Sequence, residues 1–431
     1  MGSVWSDNTT LPAFGQLHHD LNTDVLIIGG GLAGLLCAWR LHQLGVDYAL
    51  TEADVVCGGI TKDTTAKITA QHGLIYAKLT RTQGKGAAKT YLEANQTALE
   101  QYRTLCERID CDFLPRDAFV YSRTDRASLE EEAACLNDLG VPASLELRPP
   151  LPFSVAGAVR FPGQAQFDPL KFAASLLPRL HIYEHSPIRS LAPHKAITDR
   201  AVIRAKKIIV ATHFPILNRH GSYFMKLYQH RSYVLALENA PDLGGMYVDK
   251  DLDGLSFRNH GGLLILGGGG HKTGKEGDGW AALEAFARRH WPKSRVKYRW
   301  ATQDCMSLDG IPYIGQYAAS TPDLYVATGF NAWGMTSSMA AALLLSDLVT
   351  GRKNAWAKLF SPSRSVLQPQ LAANLGQSVL GLLTPTVPRC PHMGCALKWN
   401  EAENTWDCPC HGSRFTKDGK LLDDPATKNI K

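Results

Sequence analysis

No stretch of this chain approaches the roughly 18 uninterrupted apolar residues of a membrane span. The nearest, LAANLGQSVLGLLT at 371–384, falls well short, so no membrane span is expected. The N-terminal stretch MGSVWSDNTTLPAFG lacks a basic segment and an apolar core. It is not read as a secretory signal, and its loose fit to a myristoylation pattern is read as chance. Net charge is +6, yet Lys and Arg form no block, and nucleic-acid motifs are missing. Nucleic acid is therefore not expected as a partner. The excess charge reads as a solvated surface, with a shallow basic face for an acidic redox partner as the alternative. Internal repeats and low-complexity tracts are absent as well.

The cysteines are not spread as a disulfide framework. Cys37, Cys57, Cys106, Cys111, Cys135 and Cys305 are scattered, whereas Cys390, Cys395, Cys408 and Cys410 crowd the tail among histidines. That clustering points to a metal site in a cytoplasmic protein, and the scattered thiols read as small buried apolar residues. At 431 residues the chain calls for two or three domains.

A βαβ opening is legible in DVLII (24–28), GGGLAG, the helical spacing of LLCAWRLHQLG and the short strand YALTE. Gly29, Gly31 and Gly34 form G-x-G-x-x-G between strand and helix, and Glu52 closes the second strand. Such glycines allow a tight turn, close approach of backbone to a pyrophosphate and close helix packing. The helix N-terminus offers free N–H groups, and the acidic residue accepts from a ribose. The fingerprint alone does not choose between NAD and FAD. Asp309-Gly-Ile-Pro-Tyr-Ile-Gly315, the strand ending Ala327-Thr-Gly-Phe330, and the helix opened by Trp333-Gly-Met-Thr form a second strand–turn–helix. Its helix N-terminus suits the negative edge of a reduced flavin; an ordinary glycine turn is the bland alternative. LGGGGHKTG (266–274) is not a phosphate loop, since His271 stands at a required glycine, and it reads as a strand end and turn. A second nucleotide domain is thus not expected. Residues 86–108 read as a long helix, 231–238 and 261–268 as strands, and SPSRSVLQPQ (361–370) as a linker.

In the tail, Cys390-Pro-His392 and Cys408-Pro-Cys410-His411 each offer one thiolate and one imidazole. A Rieske-type [2Fe–2S] cluster needs two of each: Cys390 and Cys408 on one iron, His392 and His411 on the other. Zinc competes for the same set.

These segments resemble the D-amino-acid-oxidase/glycine-oxidase superfamily of FAD oxidoreductases, in a branch with a C-terminal Rieske domain. The stretch Gly58 to Gly73, with TTAK and T-x-Q-H-G, is its most telling part. The resemblance implies FAD contacts from Gly29, Gly31, Leu32, Ala33, Gly34, Glu52, Ala53, Gly59, Thr64, Thr65 and Lys67. It extends them to Ala211, Thr212, Asp309, Gly310, Gly329, Phe330, Trp333, Gly334, Met335 and Thr336. It also implies a disulfide between Cys395 and Cys410, for which a zinc ribbon has no use. The implied fold is α/β, α+β overall. A Rossmann-like FAD-binding domain (about 22–84, 156–225 and 301–360) interleaves with a substrate domain on a mixed or antiparallel sheet (about 85–155 and 226–300). Together these make residues 1–364. Residues 365–431 form a linker and a small all-β Rieske domain, truncated because few residues precede Cys390. Ser413 is expected to donate to a cluster sulfide. Phe415 stands where high-potential Rieske proteins usually carry a donating tyrosine.

The resemblance implies an enzyme that oxidises a C–N bond of an amine or amino acid. Electrons would pass from flavin through the cluster to a carrier such as a ferredoxin or flavodoxin. Two alternatives are a reductase fed through the cluster and a non-catalytic electron-transfer or redox-sensing flavoprotein. No acid or base stands out; His72, Arg258 and His271 are weak candidates.

Overall fold

The computed structural model describes residues 2–217, 220–365, 371, 374, 376, 381–385 and 388–430. Among them no helix is long and apolar enough to cross a membrane.

The opening apolar run becomes the strand Leu21–Ile28, whose last four residues are all buried. Both faces are covered, as a central parallel strand requires. Tyr48–Thr51 flanks it on one side and Val202–Val210 on the other, both parallel. Ile182–Tyr183 and Leu324–Thr328 extend the parallel set outward. The helix Leu32–Gln43 follows the first strand, and the mostly buried helix Gly334–Val349 packs on it. Small residues Ala340, Ala341 and Ala342 permit that approach. The long helix Lys85–Cys106 packs on the same buried helix.

A second sheet runs, edge to edge, through Arg295–Ser307, Leu227–Glu238, Leu263–Lys272, Ser256–His260, Met246–Asp249, Ala118–Ser122, Gly157–Phe161 and Ser144–Glu146. Its neighbours are antiparallel except Met246–Asp249 with Ala118–Ser122. Gly267 to Gly270 of LGGGGHKTG lie inside the strand Leu263–Lys272, which is laddered to Leu227–Glu238. Two strands depart from the parts expected from the sequence. Gly157–Phe161 belongs to this second sheet, and Arg295–Ser307 continues it past residue 301, because its long antiparallel ladder with Leu227–Glu238 holds it there.

The C-terminal piece is a four-stranded antiparallel meander of Lys398–Asn400, Thr405–Asp407, Arg414–Thr416 and Leu421–Asp423. The α/β fold with a small all-β tail is therefore as expected. Its buried apolar cluster has seven described members, four of them cysteines, which is too little core to fold alone. Stability comes from docking on the second sheet. Arg231 pairs in two-pronged fashion with Glu403, and Arg414 reaches Glu403 at 2.8 Å, Asp407 at 3.1 Å and Asp423 at 2.9 Å. Gln303 Nε2 donates to Gly412 O (3.0 Å) and Gln229 Nε2 to Asp424 O (3.1 Å).

The start of the expected linker is not loose. Arg364 grips Asp309 with two hydrogen bonds of 2.7 and 2.8 Å and lies 3.9 Å over the Tyr313 ring. Residues 366–370 lie outside the described residues.

Breaking a buried ion pair from one side leaves its partner stranded and costs roughly 3–5 kcal/mol. Glu403→Ala is expected to lower thermal stability by an amount of that order, read by calorimetry, and adding Arg231→Met should restore part of it. A fragment of residues 366–431 should lack the visible spectrum of a bound cluster.

Candidate functional site

A cavity of about 1240 Å³ opens where the first sheet's fingerprint, the second sheet and the C-terminal piece meet. Gly29, Gly31, Leu32, Ala33, Glu52, Ala53, Gly59, Thr64, Thr65, Lys67, Ala211, Thr212, Gly310, Phe330, Trp333, Gly334 and Met335 line it. Gly29 has φ +109°, and a Cβ there would lie 2.5 Å from Ala211 O; a Cβ on Gly34 would lie 1.9 Å from Gly29 O. Only glycine fits either place. Gly34 is thus a packing glycine away from the cavity wall. Glu52 Oε2 accepts from Gly30 N at 2.6 Å, which holds the carboxylate beside the turn. Leu32 N donates to Thr61 Oγ1 at 3.0 Å.

Lys67 Nζ donates to Thr65 Oγ1 (3.1 Å), and burial followed by the nearby Arg258 charge lowers its pKa to about 7. Gly329, Thr336 and Asp309 do not line the cavity. The Asp309 carboxylate is instead held by Arg364.

The three weak catalytic candidates separate. His72 borders the cavity, stacked on Trp333 with ring centroids 4.9 Å apart. Its Nε2 donates to Thr69 O (2.8 Å), so its Nδ1 accepts from Tyr91 Oη (2.6 Å). Burial pushes its pKa down to about 3, which keeps it neutral. Both nitrogens are occupied, so His72 positions the Trp333 turn and is a poor acid or base. Arg258 is fully buried away from the cavity wall; its Nη1 donates to the carbonyls of Thr65 and Ala66. Trp5 covers it, with the guanidinium 5.3 Å from its ring, and Trp5 Nε1 donates to Thr64 O (2.8 Å). His271 is also off the cavity wall, with Nε2 3.2 Å from Tyr233 Oη and Nδ1 3.1 Å from Lys272 O.

Sequence reading missed the second-sheet face that borders the cavity. Tyr228, His230 and Ser232 alternate along one strand, directly opposite Met306, Asp304 and Thr302 on the next. The signal was the period of two on the first strand, but its partner Arg295–Ser307 was not read as a strand. Burial raises the Asp304 pKa to about 6, against the Arg231 charge that lowers it.

The four expected cluster ligands come together. Cys390, Cys408 and His411 are buried, and the His392 and His411 rings lie 4.9 Å apart. Both ring nitrogens of His411 are buried, and among the described residues neither meets a partner in hydrogen-bonding geometry. Two buried imidazole nitrogens without partners are costly unless a metal takes one. The Cys390 thiol is drawn down to about 7, first by the hydrogen bond from Cys408. Cys395 and Cys410 form a disulfide beside them. The residues therefore fit a Rieske cluster. Ser413 Oγ accepts from Ala426 N at 2.9 Å, leaving its proton for the Cys390 sulfur, whose pKa it helps to lower. The imidazoles face inward: Phe214 lies 6.3 Å from the His392 ring and 6.4 Å from the His411 ring.

Residues 24–348 match the family described as FAD dependent oxidoreductase, and residues 381–431 match the Rieske [2Fe-2S] domain. The chain belongs to the FAD dependent oxidoreductase family. A Bacillus subtilis protein named as a Rieske 2Fe-2S iron-sulfur protein is 34% identical over all of this chain and 97% of its own length. Glycine oxidase from Geobacillus kaustophilus shares the fold at TM-score 0.68 and 19% identity, over 81% of this chain and 100% of that one. L-amino acid deaminase from Proteus vulgaris does so at TM-score 0.66 and 14% identity, over 83% and 100%. The chain is thus an FAD-dependent oxidoreductase that carries FAD and a Rieske [2Fe–2S] cluster.

Two outcomes follow. The folded-state pKa of His72 lies below its usual 6.5, so the unfolded chain binds more protons between pH 6.5 and about 3. Stability contributed by neutral His72 is lost as pH falls through that window. His72→Gln should flatten this acid limb in melting temperatures measured against pH. Phe415 is buried and cannot donate a hydrogen bond. Phe415→Tyr should raise the cluster potential by on the order of 40 mV, one hydrogen bond of about 1 kcal/mol in a one-electron couple, read by EPR-monitored titration.

Proposed function

We propose that this oxidoreductase oxidises a C–N bond of an amine or amino acid and passes the electrons through the cluster to a carrier such as a ferredoxin or flavodoxin. The observation that carries this reading is the shared cavity. Fingerprint residues Gly29 and Glu52, second-sheet residues Tyr228 and Asp304, and Leu421 to Asp424 with Ala426 to Asn429 of the C-terminal piece line one space. A substrate on the second-sheet face would lie between the nucleotide site and the cluster-binding piece. The nearby solved structures include enzymes titled glycine oxidase and L-amino acid deaminase, which supports C–N chemistry.

In this reading the N–H groups of Gly31 and Ala33 would meet the pyrophosphate, and Glu52 would meet the ribose. Thr64, Thr65, Lys67 and the turn Trp333 to Met335 border the remainder of the nucleotide. The flavin supplies a hydride acceptor able to return electrons one at a time. The second sheet aligns the substrate carbon, and the packed walls exclude water. Phe214 touches both cluster histidines, and its neighbours Thr212 and His213 line the cavity. That continuity supports an electron exit through the cluster to a carrier in the cytoplasm. The division into residues 1–364 and 365–431 goes with this proposal.

Anaerobic protein mixed with a panel of amines and amino acids should show flavin bleaching, followed by a reduced-cluster EPR signal with average g below 2. Bleaching without a cluster signal would remove the exit through the cluster. No bleaching, with donor-driven reduction of an imine, would favour the reverse flow.

A further inference from the structure

Of the carboxylates that line the cavity, most are already engaged. Glu52 accepts from Gly30 N, Asp249 from Asp251 N, and Asp424 from Phe214 N. Asp423 pairs with Arg414 at 2.9 Å, Asp251 with Lys250 at 3.4 Å, and Asp54 lies 3.7 Å from His185. Asp304 differs. No hydrogen bond or ion pair from a described residue reaches its carboxylate, and the residue is half-buried in the cavity wall.

Its position is fixed by the ladder. Asp304 stands directly opposite His230 on the neighbouring strand, and the flanking pairs are Ser232 with Thr302 and Tyr228 with Met306. Directly opposed residues of an antiparallel pair point to the same face, and all six line the cavity. Arg231, one residue along, is committed to Glu403 in the docking contact. His230 Nε2 is 3.1 Å from Asp253 Oδ1, so it does not neutralise Asp304. A half-buried carboxylate with no partner is costly, and its ionised form is favoured when a cation arrives within hydrogen-bonding reach. Burial accordingly raises its pKa to about 6.

We propose that Asp304 is the ammonium-binding subsite of the cavity, so that the substrate is recognised by its cationic amine nitrogen. The subsite rests on the C–N oxidation reading and narrows its substrate class. Arg258, the arginine that sequence reading offered for a substrate carboxylate, lies off the cavity wall, with Nη1 donating to backbone carbonyls. Ser232 and Thr302, beside Asp304 on the same face, supply hydroxyls for the remaining N–H groups.

The test is calorimetric titration of FAD- and cluster-loaded protein at about pH 8, where amine and Asp304 are both charged. The probes are benzylamine, its neutral isostere benzyl alcohol, and benzoate. Wild type should bind benzylamine at least about tenfold more tightly than benzyl alcohol, as a charge-assisted hydrogen bond implies. Asp304→Asn should remove that preference with an unchanged melting temperature and flavin spectrum, and Asp304→Glu should keep part of it. Equal affinity of wild type and Asp304→Asn for benzylamine, or no binding by wild type, overturns the subsite. Flavin bleaching by amino acids with unaltered affinity in Asp304→Asn would leave C–N oxidation standing and sink the subsite. Benzylamine binding that depends on Asp304, with no amine or amino acid bleaching the flavin, would keep the subsite and remove the oxidation reading.

Discussion

The buried ion cluster of Arg231, Glu403, Arg414, Asp407 and Asp423 is the contact on which the two-cofactor arrangement depends. A cluster-binding piece with so small an apolar core needs an external support. The support is polar, which is unusual for a docking surface, and its strength lies in completeness. Arg414 meets three carboxylates, and Arg231 bonds Glu403 with Asp423 4.0 Å away, so desolvation is matched by several charge-assisted bonds. Its Arg231 end sits on the same strand as Tyr228, His230 and Ser232, with alternate side chains turned to opposite faces. One strand thus carries the docking contact and the cavity wall back to back.

That strand also explains how the site is built. Gln229 and Arg231 face the C-terminal piece, while their neighbours face the cavity. Displacing the docked piece would disturb the wall directly. The imidazoles of the cluster site are turned inward on Phe214, next to the residues that close the nucleotide cavity. Trp5, far off in sequence, performs a comparable service on the other side by bonding Thr64 O and covering Arg258.

Legibility in the sequence followed the range of the interactions. The glycine fingerprint and the Cys–His tail are local patterns whose chemistry is carried within a few residues, so the family, the fold class and both cofactors could be read directly. Asp309 shows the limit. It sits in a segment whose resemblance implied a flavin contact, but its carboxylate belongs to Arg364, whose arrival from a segment read as linker no local pattern announces. Asp304 and Phe214 were invisible for a related reason. Each acquires its meaning from a partner across a ladder or a domain contact, and the strand that holds Asp304 lacks a clean alternation. His72, a weak catalytic candidate from the sequence, borders the cavity while being locked by Thr69 and Tyr91.

The division of the docking cluster between two parts of the chain bears on how such a protein can change over time. Arg231 lies on the flavin side, and Glu403 and Arg414 lie on the other, so a charge change on either side strands its counterpart in a dry contact. The two parts are therefore bound to drift together. A cluster-binding module transplanted from elsewhere would bring its metal ligands but would meet an arginine that expects a glutamate. Recombination between relatives should preserve the pair as one inherited unit, with the seam of any exchange placed outside residues 231–414.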